Sequence, residues 1–135
     1  MEEQEARLAR SCCFTGHRSS KLPWGGNEAD ARCLELKRKL ADALEELYGQ
    51  GVRHFICGMA TGCDMFFAEA VLALRGELPG LRLCCAVPFP GQADRFPEAD
   101  RLRYMRILDR ADEVATLAPR YEPRCYLRRD EFMVE

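Results

Sequence analysis

The stretch FICGMATGCDMFFAEAVLAL, residues 55–74, changes character partway along its length. It begins as a short apolar run that is typical of a buried strand, passes Gly58 and Gly62, and continues with the apolar spacing of a helix. A strand that leads directly into a helix is the unit from which parallel α/β sheets are built. The stretch therefore predicts the fold class, and the glycine turn inside it points to a binding site.

The same alternation continues on both sides of this stretch. Further strand-like runs occupy residues 12–16, 81–89 and 113–118. Segments with helical periodicity occupy residues 28–48, 62–75 and 100–110. The pattern predicts a doubly wound α/β domain with a mainly parallel sheet and helices on both faces, which gives three α/β/α layers. We expect residues 1–11 to be a polar extension and residues 12–135 to form a single domain.

Composition and charge narrow the classes of function. The chain has 135 residues, of which 47% are apolar, and a formal net charge of -2. This balance gives no general attraction for nucleic acid or for an anionic membrane. The first residues, MEEQEARLAR, are acidic where a secretory signal would be basic and then apolar, and no run approaches the roughly 20 apolar residues of a membrane span. We expect a cytoplasmic protein that has no membrane partner and does not bind nucleic acid.

The 8 cysteines are predicted to be reduced, buried side chains. No two have C-x-x-C spacing, and the adjacent pairs at 12–13 and 84–85 lie in strand-like runs, where neighbouring side chains point to opposite faces. A zinc site would need ligands from scattered segments with only His17 and His54 to help, so no metal site is predicted. Cys63, beside the glycine turn, is the thiol that we expect to be most accessible.

Three loops follow the predicted strands at their carboxyl ends, where open α/β sheets bind ligands. Glycine at 58 and 62 allows backbone angles closed to other residues, and the helix that follows offers N–H donors to an anion. Thr61 is a candidate cap or hydroxyl donor, and Asp64 could accept from backbone N–H groups or from a ribose hydroxyl. Arg18 is a candidate phosphate clamp. The candidate ligand-binding residues in the first two loops are Thr15, Gly16, His17, Arg18, Gly58, Thr61, Gly62 and Asp64.

Several motifs in this order resemble one known family. The strings CFTGHR, GVRHFICGMATGCDMFFAEAVL, PFPGQ, YMRILDRADEV and RRDEFMVE are similar to those of the YpsA-like family in the SLOG superfamily, from Cys12 to the C-terminus. The resemblance implies a Rossmann-like domain of a bacterial protein that binds a mononucleotide, NAD or ADP-ribose. It adds Met59, Ala60, Pro88, Phe89, Gln92 and Arg129 to the ligand-binding candidates and implies no catalytic residue. Relatives continue into a further strand and a G-G-T loop beyond the point where this sequence ends, so the chain is either a naturally short member or a fragment. If the strand is missing, we expect strand 4 to present an edge that favours a homodimer.

Two other functions compete with nucleotide sensing or binding. The Lonely Guy phosphoribohydrolases of the same superfamily cleave nucleotides, but their P-G-G-x-G-T-x-x-E string does not occur here. DprA, also of this superfamily, binds single-stranded DNA, and Arg120, Arg124, Arg128 and Arg129 with Tyr121 and Tyr126 are the residues that would support that function here. Whether the chain is an enzyme stays open.

Overall fold

The computed structural model describes residues 11–14 and 22–117. Four strands in this part form one parallel sheet: β1 (Ser11–Phe14), β2 (His54–Cys57), β3 (Arg82–Val87) and β4 (Glu113–Thr116). The strands lie side by side in chain order, so that Phe14 pairs with Cys57 and Cys57 with Cys85. β2 and β3 end earlier than the apolar runs of the sequence, because Gly58 follows β2 and Pro88 follows β3.

Three helices connect the strands: α1 (Ala31–Gly49), α2 (Cys63–Arg75) and α3 (Glu98–Arg110). Helix α1 begins later than predicted, because Asp30 is its cap and accepts from the Arg32 N–H at 2.9 Å. Helix α3 begins earlier than predicted, directly after Pro97. The predicted bounds of α2 are correct to one residue, with Gly62 as its cap.

The core lies between the helices and one face of the sheet. Phe55, Cys57, Leu83, Cys85 and Val87 point to this face, and they pack with Leu44 of α1, with Met65, Phe67 and Val71 of α2, and with Tyr104 and Ile107 of α3. The Phe67 ring stacks on Phe14 with 4.3 Å between ring centroids and meets Phe55 edge-on. The three connecting helices therefore form one layer, as right-handed crossovers between strands in chain order require.

The prediction of a Rossmann-like α/β domain with a parallel sheet is confirmed. In the described part of the chain, residues 11–14 and 22–117, the helices form a single layer on one face of the sheet. The order of the strands in this part does not reverse. The adjacent thiols behave as predicted in β3, where Cys84 and Cys85 are both buried and point to opposite faces. Among the described helices, none combines the length and the apolar character needed to cross a bilayer.

Candidate ligand-binding site

The turn after β2 has an unusual backbone at two positions. Gly62 has φ 86° and ψ -128°, a conformation that only glycine adopts without strain. The second position is Met59, with φ 64°, whereas Gly58 does not have a positive φ. The sequence therefore predicted correctly that the turn needs special angles but assigned one of them to the wrong residue. A bulky residue in the left-handed region costs about 1–3 kcal/mol and persists only where its surroundings hold it. Met59 is completely buried, which supplies that constraint.

The Asp64 side chain holds the turn in place by a hydrogen bond to its backbone. Its side chain is only 4% exposed, and Oδ2 accepts from the Ala60 N–H at 3.1 Å. The Cys57 thiol donates to the Asp64 carbonyl oxygen at 3.0 Å, which ties the end of β2 to the first turn of α2. The predicted backbone contact of Asp64 is therefore present, and its contact with a ribose hydroxyl stays a prediction.

Gln92 joins the turn after β2 to the loop after β3. The side chain is buried, its Nε2 donates to the Gly58 carbonyl at 3.2 Å, and its Oε1 accepts from the Tyr104 hydroxyl at 3.0 Å. The Gln92 backbone N–H donates to the Phe89 carbonyl at 3.2 Å, which closes the PFPGQ loop. One amide thus spans both loops, and α3 orients it through Tyr104.

The structure brings two of the three predicted loops together. Gly58, Met59, Ala60, Thr61, Gly62, Asp64, Pro88, Phe89 and Gln92 all lie at the carboxyl ends of β2 and β3. Thr15, Gly16, His17, Arg18 and Arg129 lie outside the described residues. One expectation is wrong: Cys63, the first residue of α2, is buried and is not an accessible thiol. Sequence reasoning did not identify Tyr104 as the partner of Gln92, since its helical spacing indicates only an apolar core position.

The arrangement suits recognition of an anion or a hydroxyl group by backbone donors. Alternation of left-handed and ordinary backbone angles turns successive N–H groups toward one concave surface. Helix α2 begins in the same turn, and its N-terminus carries a partial positive charge. Gly62 has no side chain that could cover these groups.

A second concave region lies away from the strand ends. It is a groove of about 580 Å³ between α2 and α3, with Glu28 at its border. Arg103 crosses this region, where Nη1 lies 2.6 Å from Glu28 Oε2 and Nη2 pairs with Glu69. The hydrogen bonds from Arg103 lower the pKa of Glu28 to about 2, against partial burial, and Lys37 adds to the effect. Glu69 therefore takes part in an ion-pair network between helices and does not reach the candidate site.

Comparison with known proteins places the chain in a family. The model of the YspA SLOG family, YpsA, matches residues 12–135. The UPF0398 protein SSP1297 of Staphylococcus saprophyticus is 30% identical over 129 residues, covering 94% of this chain and 68% of that protein. UPF0398 proteins of Bacillus thuringiensis and Halalkalibacterium halodurans are 31% and 30% identical, with 90% and 74% of this chain covered. The chain spans 66% and 54% of the length of those two relatives. The chain therefore belongs to the YpsA family of SLOG proteins.

Proposed function

We propose that this protein binds a nucleotide or a nucleotide-derived ligand at the carboxyl ends of β2 and β3. The observation that carries the proposal is the turn from Gly58 to Gly62, which has positive φ at Met59 and Gly62 and leads directly into α2. Backbone held in such conformations concentrates at ligand sites, where the remaining structure has to stabilise it. Here the buried polar groups of Asp64 and Gln92 do so.

The ligand phosphate would contact backbone N–H groups of the turn and the Thr61 hydroxyl. Helix N-termini and concave runs of N–H groups are common phosphate sites. The Asp64 carboxylate would compete with a phosphate for the same positive end of α2, so we assign it to holding the turn and not to the phosphate. The sequence predicts Arg18 at this edge of the sheet, and its charge would offset both anions.

Binding is expected to need glycine at 62. Gly62→Ala forces a side chain into a backbone conformation that L-residues rarely adopt, and nucleotide binding should be lost. The matched control is Gly76→Ala at the other end of α2, where φ is -72° and no atom lies within 4 Å of the added Cβ. The control should bind like wild type. Calorimetry against AMP, ADP, ATP, NAD and ADP-ribose measures the effect, after a cooperative thermal melt has shown that each variant folds.

A second variant keeps the proposal testable if Gly62→Ala does not fold. Thr61→Val removes only the hydroxyl of a half-buried residue and should weaken binding by roughly 10- to 150-fold, the range for one hydrogen bond to a charged group. Native mass spectrometry of the freshly purified protein would identify a ligand retained from the cell. The proposal is wrong if wild type binds none of the panel at millimolar concentration and no ligand co-purifies. Conversion of a nucleotide during these experiments would favour the phosphoribohydrolase alternative, and tight binding of single-stranded DNA would favour the DprA-like one.

A further inference from the structure

A histidine, a cysteine and a glutamate from three strands meet on the sheet face opposite the helices. His54 begins β2, Cys84 is in β3 and Glu113 begins β4. In the register, Cys84 lies between Ile56 and Glu113, and His54 points to the same face two residues before Ile56. One ligand atom from each of the three side chains lies within 4.8 Å of the others.

We propose that His54, Cys84 and Glu113 form a binding site for a transition-metal dication, with zinc as the best match. Thiolate, imidazole and carboxylate are the three ligand types that zinc takes in proteins. The sulfur and nitrogen donors disfavour Mg²⁺ and Ca²⁺, which prefer oxygen ligands throughout. Three protein ligands would leave the fourth tetrahedral position for water or for another ligand.

The distances are close to those of a bound site. Bonds of about 2.0–2.3 Å to a tetrahedral zinc put the ligand atoms about 3.6 Å apart. His54 Nε2 and Glu113 Oε2 are 3.7 Å apart, so this pair already has that spacing. The other separations exceed that spacing by at most about 1.2 Å.

The backbone around the three ligands is held firmly in place. The Asp112 N–H donates to the Leu83 carbonyl at 3.0 Å, and Asp112 Oδ2 accepts from the Leu83 N–H at 2.9 Å. These two bonds fix the start of β4, and with it Glu113, opposite Cys84. The Arg82 N–H donates to the Arg53 carbonyl at 2.8 Å, which fixes the start of β3 beside His54.

Access and charge also suit an ion. The Glu113 side chain is 60% exposed and the His54 side chain 18%, so the site opens to solvent on the glutamate side. Arg82, the register partner of His54, brings a like charge to the cation. The Arg82 side chain is exposed and also interacts electrostatically with the Asp112 carboxylate. Solvent and that carboxylate therefore reduce the repulsion between Arg82 and a bound cation. The site lies toward the amino ends of the strands, whereas the candidate ligand-binding loops leave their carboxyl ends.

Metal titration of the 135-residue chain tests the site. With reduced thiols, Co²⁺ should give a thiolate-to-cobalt charge-transfer band that saturates at one ion per chain, and Zn²⁺ should displace it. Cys84→Ser should abolish the band. His54→Ala and Glu113→Gln should each weaken binding by at least the roughly 10- to 100-fold that loss of an outer-shell partner costs. Glu113→Gln keeps the size of an exposed side chain and gives a folded variant even if the other two unfold.

Cys12→Ser is the matched control, since Cys12 is in β1 and points to the helix side of the sheet. It should leave the cobalt spectrum unchanged. Loss of the band in Cys12→Ser with retention in Cys84→Ser would assign the metal to other thiols and overturn the proposal. No saturable binding by wild type, or equal affinity in wild type and Glu113→Gln, would also overturn it. Nucleotide binding can fail without any of these results changing, because the two sites are at opposite ends of the sheet.

Discussion

At the scale of single residues, the candidate site depends on buried polar groups that satisfy each other. Gln92 uses both ends of its amide, one on the Gly58 carbonyl and the other on the Tyr104 hydroxyl. When a buried amide loses one hydrogen-bond partner, the folded state is destabilised by the desolvation free energy of the unpaired atom. Tyr104 is 3% exposed, so water cannot replace its hydroxyl easily.

Tyr104→Phe is therefore expected to lower the free energy of unfolding by about 1–3 kcal/mol, because it leaves Gln92 Oε1 without this donor. Urea denaturation measures the change. Tyr48→Phe is the matched control, since the Tyr48 hydroxyl donates to the Pro79 carbonyl at 2.6 Å in an exposed position where water can take over. Its effect should stay within about 0.5 kcal/mol. Equal effects of the two substitutions would contradict the role assigned to Gln92.

At the scale of elements, Asp112 attaches β4 to β3 and also reaches α2. Its Oδ2 accepts from the Leu83 N–H and from Arg75 Nη1, the latter at 3.1 Å, and Arg75 also donates to the Arg110 carbonyl at the end of α3. Burial opposes ionisation of Asp112, but the Leu83 N–H and Arg75 outweigh it and hold the pKa below its usual value. One carboxylate thus joins a strand start to the ends of two helices.

Asp112→Ala is expected to cost about 1–3 kcal/mol, because the Leu83 N–H and the Arg75 guanidinium lose an acceptor in a partly buried position. The measurement is chemical denaturation at neutral pH. Asp109→Ala provides the comparison, since Asp109 is exposed in the last turn of α3, and its removal should change stability by no more than about 0.5 kcal/mol. An Asp112→Ala protein as stable as Asp109→Ala would show that β4 does not depend on this contact.

At the scale of the whole molecule, Arg103 links distant parts of the chain. Its guanidinium donates hydrogen bonds to Glu28, which lies before α1, and to Glu69 in the middle of α2. The guanidinium carbon also lies 5.3 Å from the centre of the Phe66 ring. The three helices are thus held together on their outer side by charges, while the core holds them to the sheet.

This network predicts how stability depends on pH. The pKa of Glu28 falls from 4.5 to about 2 on folding, so its contribution is complete above the unfolded pKa and is lost as the pH falls through the folded one. Because a third of the side chain is exposed, we expect a loss of only about 1–2 kcal/mol between about pH 5 and pH 2. Glu28→Gln should be less stable by this amount at neutral pH and should show a shallower decline in acid. Parallel pH profiles of the two proteins would exclude the contribution of Glu28.

The sequence by itself determined the class of fold, because strand and helix periodicities and their glycine and proline boundaries are local properties. It also determined which loops share an edge of the sheet, since loops at the carboxyl ends of parallel strands must lie together, and the structure brings Gly58, Gly62 and Gln92 there. Only the tertiary structure decided which residues in that edge face each other. Met59 has a left-handed backbone because the core encloses its side chain, and local sequence indicates nothing of this kind.

Contacts between residues that are distant along the chain could likewise not be predicted from the sequence. Arg103 and Glu28 are 75 positions apart, and their pairing depends on how α3 packs beside the segment that precedes α1. The three proposed metal ligands come from separate strands, and ligands scattered in this way were the reason to expect no metal site from the sequence. Strand register brought them within 4.8 Å of one another, and register is set by hydrogen bonds between strands that no single segment encodes.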